Sequence, residues 1–133
     1  MIDINVSGMP RYRYQHSLWM QGDAKYPWVN ASVAEGLREF KITGLKPGNY
    51  VVRLYFNEPD DVAAGERVQS IQLQEATVQE NFDVAAESGG PMHAICLEFE
   101  GINVQNELKL GLSSSRGKTI VSGLELIRED LGE

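Results

Sequence analysis

Residues Asn49 to Asn57 alternate so strictly that only an extended backbone can use them. Tyr50, Val52, Leu54 and Phe56 fall on one face, with Val51, Arg53, Tyr55 and Asn57 on the other, because successive side chains of a strand point to opposite sides. A helix would scatter the same residues around its circumference. The pattern recurs in Phe40 and Ile42, in Ile71 and Leu73, and in Ile95, Leu97 and Phe99. It returns in Leu108, Leu110 and Leu112 and closes the chain in Leu124 and Leu126. Val78, Phe82 and Val84 mark a further short strand pair before the breaker Glu87-Ser88-Gly89-Gly90-Pro91. No window of a dozen residues carries an apolar stripe at helical spacing. Pro47 and Gly48 supply turn geometry between the Phe40 and Tyr50 rows, so residues 38–56 read as a hairpin. Short strands separated by Gly, Asn and Ser predict an all-β, jelly-roll sandwich of two antiparallel sheets with loops gathered at its ends.

The chain has 133 residues, enough for one core and short for two, and no linker or internal repeat divides it. The expectation is a single domain over residues 1–133. Surface scaling gives about 21,000 Å² exposed when unfolded against about 7,000 Å² folded, so neither a metal nor a disulfide is needed to hold it together. With 12 Lys+Arg against 19 Asp+Glu the net charge is −7. Such a molecule repels phosphate backbones and anionic headgroups, so no nucleic-acid or membrane partner is expected. No apolar run approaches the roughly 20 residues of a membrane-spanning helix.

The inventory for catalysis is thin. His16 and His93 are far apart, no G-x-S-x-G elbow exists, and Ser113 to Ser115 read as loop residues. Cys96 sits between Ile95 and Leu97 with no cationic neighbour, which reads as a packed, inert thiol. No catalytic residue, metal or cofactor is assigned. The aromatics are another matter. Residues 11–30 hold Tyr12, Tyr14, Trp19, Tyr26 and Trp28, including both tryptophans, without clean alternation. Flat aromatic faces suit the C–H faces of a pyranose, which makes Trp19, Tyr26 and Trp28 platform candidates, although filling the core is the blander use of a tryptophan. Arg13, Gln21, Asp23 and Asn30 are the nearby polar candidates for sugar hydroxyls. Glu58, Asp60, Asp61 and Glu66 read as an acidic loop rim, with Pro59-Asp60-Asp61 equally good as turn chemistry. Arg116 and Lys118 suit a carboxylate or a pairing with that rim.

The succession GNYVVRLYFNEP, GERVQSIQLQ, NFDV and VSGLELI resembles the malectin and malectin-like family of carbohydrate-binding domains, over residues 37–128. The resemblance implies a jelly-roll sandwich, often part of larger secreted or membrane-anchored proteins, hence extracellular or periplasmic. It looks closest to bacterial malectin-like domains, and a chain opening straight into the domain suggests an excised piece or a small stand-alone relative. The family's adjacent Tyr-Phe sugar contacts after its F-A-E signature fall on Asp60 and Asp61 here, and a sugar-contacting aspartate before the last strand falls on Lys118. These departures keep the family's fold while removing its disaccharide contacts. Two functions are therefore expected in order. The first is a non-catalytic module binding an oligosaccharide or polysaccharide through Trp19, Tyr26, Trp28, Asp60, Asp61 and Lys118. The second is a protein-interaction or structural domain that docks to a neighbouring domain or protein.

Overall fold

The computed structural model describes residues 3–14, 21–22, 32–90 and 92–129, and in it the alternating rows line the facing sides of two sheets. One sheet runs β1 (Asp3–Tyr14), β3 (Ser32–Thr43), β8 (Glu107–Arg116), β5 (Val68–Leu73) and β6 (Ala76–Phe82), with short β9 (Ile120–Val121) also on β3. The other runs β10 (Gly123–Arg128), β4 (Gly48–Phe56), β7 (His93–Val104) and β2 (Gln21–Gly22). Among the described residues every pairing is antiparallel except the two-residue contact of β2 with β7. The accessible surface is 7204 Å², close to the value of about 7,000 Å² expected from the chain's mass.

Val52, Leu54 and Phe56 of β4 are fully buried, and Ile71, Leu108 and Leu110 meet them from the opposite sheet. Phe56 and Phe82 join the two layers edge to face, with centroids 5.0 Å apart and ring planes at 72°. On the outer side of β4, Arg53 reaches across both neighbours, to Glu98 at 2.6 Å and Glu125 at 3.3 Å. These pairs are partly open to solvent and add little stability.

The hairpin expected over residues 38–56 does not form: β3 and β4 lie in different sheets. Both flanks of β3 are taken, by β1 on one side and β8 and β9 on the other, so β4 has no edge to join. Crossing to the second layer also lets the Ile42 and Val52 rows bury against each other across the core. The crossing is pinned where Leu45 N donates to Asn106 O at 2.9 Å and the Tyr50 hydroxyl donates to Lys46 O at 2.8 Å.

A second departure lies at Val84, expected on a strand and found in the short helix α1 (Val84–Ser88). Asp83 caps it, its side chain accepting from Ala86 N, and Gly89 ends it at φ 99°. Five residues are too few to show helical periodicity, so only the cap carried the signal. By contrast β5 and β6 do form a hairpin, turned by Gln74 and Glu75 at φ 53° and 68°. Cys96 lies half-buried on β7, as a packed thiol should, its Sγ 3.9 Å from Leu97 O.

Candidate functional site

Past Phe56 the chain leaves β4 as Asn57-Glu58, both fully buried, and returns through Arg67 to β5. At the same end of the sandwich β8 gives way to Gly117-Lys118-Thr119 before β9. One guanidinium ties these loops together. Arg67, 7% exposed, donates through Nε to Glu58 Oε1 at 2.6 Å, and through Nη1 to the carbonyl of Lys118 at 2.8 Å. Its Nη2 is shared between Asp60 Oδ2 at 2.9 Å and Glu35 Oε2 on β3 at 3.4 Å. Only arginine offers a planar fork that can serve three carboxylates and a carbonyl at once.

The second carboxylate oxygen of Glu58 accepts from Asp60 N at 3.2 Å, which folds the loop back on its own anchor. Two positions further along β5 the Gln69 amide acts as a substitute strand. Its Nε2 donates to Ile120 O at 2.9 Å and its Oε1 accepts from Ile120 N at 2.8 Å. Thr119 Oγ1 donates to Leu37 O at 2.6 Å, fastening the loop to β3 as well. Gly117 sits at φ 69°, where an added Cβ would lie 3.1 Å from Glu66 O, so any other residue would strain the loop's close approach to Arg67.

Three carboxylates surround this single guanidinium, which fills the place among them that a cation would otherwise take. Among the described residues no group of three or more His, Cys, Asp or Glu is arranged to hold a metal ion. Burial pushes the Glu58 carboxyl above its ordinary value of 4.5, with the Arg67 hydrogen bond opposing the rise. A carboxyl raised on folding holds protons that the unfolded chain has already released. Its contribution to stability is therefore full below about 4.5 and is lost as the pH climbs through the raised folded value. Glu75, lowered by Lys109, has the opposite sign but is exposed and screened. The urea midpoint is expected to rise on acidification from neutral pH toward 4.5, and Glu58→Gln to flatten that rise. An unchanged rise in Glu58→Gln would place its origin elsewhere.

Of the expected site residues, Asp60 and Lys118 are brought to the same guanidinium, one by its carboxylate and the other by its carbonyl. Asp61 and the Lys118 side chain are exposed. Glu58 corrects the acidic-rim reading. It is 0% exposed and is a structural anchor, because the row that carries Phe56 inward leaves it facing Arg67. Glu66 is a turn residue, accepting from Ala63 N at 2.6 Å. Trp19, Tyr26 and Trp28 lie outside the described residues, as do His16, Asp23 and Asn30.

Arg67, Gln69 and Glu35 are the residues that the sequence reading passed over. Their signal was parity: Arg67 and Gln69 share the row of Ile71 and Leu73, and Glu35 lies between Val33 and Leu37, which are both buried. Polar groups on an inward row need partners.

The Malectin domain family model matches residues 35–128. A probable receptor-like protein kinase of Arabidopsis thaliana is 34% identical, the match covering 60% of this chain and 12% of that protein. Among solved structures, the plant receptor-like kinase ANX2 aligns with a TM-score of 0.79 at 18% identity, covering 94% of this chain and 39% of that one. A plant complex of the peptide RALF23 with FER and LLG2 aligns at 0.76 and 17% identity, covering 94% and 40%. At such identities these two structures share the fold. The chain thus spans about an eighth of the curated relative. That relative is a plant protein, so the expected kinship with bacterial domains gains no support from it.

Proposed function

Because this chain belongs to the Malectin domain family, we propose that it is a non-catalytic recognition module whose ligand meets the loop end organised by Arg67. The carrying observation is the bridge from Asp60 to the Lys118 carbonyl through that guanidinium. It sets the two loops that bear Asp60, Asp61 and Lys118 in one fixed arrangement, so less ordering remains to be done when a ligand arrives. The ligand class we propose is a glycan. Trp19, Tyr26 and Trp28 supply stacking faces in this reading, while Asp60, Asp61 and Lys118 meet hydroxyls. The parent would be a larger extracellular protein, as the receptor kinase relative suggests.

Titration with a panel of neutral and acidic oligosaccharides is expected to change tryptophan fluorescence. Asp61→Ala with Lys118→Ala should weaken that response about tenfold without moving the thermal midpoint, since neither side chain supports the fold. A panel with no fluorescence or calorimetric response removes the glycan.

A specific feature favours a second reading, docking of a partner protein. Ile4 and Val6 on β1 are 58% and 44% exposed. With Phe40, Val121 and Leu124 they border an apolar groove of about 390 Å³ between β1 and β10, the strands at the ends of the two sheets among the described residues. Exposed apolar groups on an edge strand are usual sites of association. A neighbour of the same fold is named in a complex with a peptide and a second protein.

A further inference from the structure

Strands β3 and β8 pair from Thr43–Glu107 to Glu39–Gly111 and then part. Beyond that point β3 pairs with β9, at Ala34–Val121 and Glu35–Ile120. Meanwhile β8 runs on to Arg116 beside β5 alone. The edge of β8 that faces β3 therefore has no strand partner from Leu112 onward among the described residues. What holds the strands apart is the Gly117–Thr119 loop, bonded to β3 by Gly36 N to Thr119 O at 2.8 Å and to Arg67 through Lys118 O. The gap is thus part of the clamped architecture.

It forms a cleft of about 480 Å³, within the size range of ligand sites. Arg38 and Lys118 line it together with Ser113 and Ser114, and among the described residues no acidic one does. Neither Arg38, Lys118 nor the adjacent Arg116 makes an ion pair with a described residue. Glu39 and Glu75, which share a neighbouring hollow with Arg38, both bind Lys109 instead, at 3.2 and 2.9 Å. Exposed cations without partners, gathered on a chain of net charge −7, mark this cleft out electrostatically.

We propose that the cleft is a docking site for a short, extended, acidic peptide segment. Its backbone adds to the free edge of β8 over Leu112–Arg116, and its carboxylates are met by Arg38 and Lys118. Along one edge of an antiparallel strand the N–H and C=O of every second residue point outward, a repeat of about 6.7 Å that an extended peptide matches and a chain of sugar rings does not. The proposal does not rest on the glycan reading, although both use the Lys118 side chain; Arg38 and the β8 edge belong to this one alone.

The test uses isotope-labelled protein and three probes: Ac-Val-Asp-Val-Glu-Val-NH2, its Asn/Gln counterpart, and trigalacturonate. The acidic peptide is expected to shift the amide resonances of Leu112–Ser115 and Thr119. The neutral peptide should bind about tenfold more weakly, and the double variant Arg38→Gln/Lys118→Gln should lose about the same factor with its melting curve unchanged. Equal binding of both peptides, full affinity in the double variant, or no shifts along β8 would overturn the proposal. So would a response to trigalacturonate alone.

Discussion

Replacing Arg67 by methionine is expected to lower the unfolding free energy by about 3–5 kcal/mol, the usual cost of removing one partner from a buried ion pair. Methionine keeps most of the stem's volume, so the loss isolates the guanidinium. Glu58, fully buried, and Glu35, 8% exposed, would keep their carboxylates out of water with the counter-charge gone. Asp60 is 35% exposed and can turn to solvent, so it adds least. A domain of this kind has about 5–15 kcal/mol in all, which makes this substitution a large fraction of it. Urea unfolding with an unchanged slope would read the effect cleanly. Two companions sharpen it. Arg67→Met should recover stability in acid as Glu58 takes a proton, and the pair Arg67→Met with Glu58→Leu should regain part of the loss, since apolar replacement of a buried pair is often tolerated. A single-variant loss below about 1 kcal/mol would mean that water, rather than Arg67, compensates these carboxylates.

Phe56→Ala is expected to cost about as much, 3–5 kcal/mol, for a different reason. Phe56 is 0% exposed and makes the edge-to-face contact with Phe82 that joins the two layers. Truncation removes the buried area and leaves a cavity that rigid strands on both sides cannot close. The contrast is Ile4→Ala on β1, where the side chain is 58% exposed and the change should stay within about 0.5 kcal/mol. Thermal and urea unfolding of the two variants side by side would measure this difference. Similar small losses in both would mean that the Phe56 row does not form the interior.

Strand parity makes most of the architecture readable from the sequence. The Tyr50–Phe56 row, the Leu108–Leu112 row and the Ile71–Leu73 pair are all buried as alternation requires. Parity reports which face of a strand is inward, and it is silent on which strand lies alongside. That is why residues 38–56 read as a hairpin although β3 and β4 belong to opposite layers. It is equally silent on a five-residue helix, where Asp83 as a cap was the sole mark of α1. The loop end was half legible. Asp60 and Lys118 stand out in the sequence and share one guanidinium, yet Arg67 itself is hidden on the same row as Ile71 and Leu73. A charged residue in an inward row is either a sequence anomaly or the hub of a network. The partners that make it a hub, Glu35 and Glu58, come from distant parts of the chain.

Amide hydrogen exchange on the wild-type protein and Arg67→Met tests most directly whether one buried guanidinium organises the recognition end. The expected result is loss of protection at Asp60, Thr119 and Ile120 well beyond the general decline, while Val52, Leu54 and Val104 keep the slowest exchange in both proteins. Uniform loss across loops and core strands, or unchanged protection at Thr119 and Ile120, would contradict it.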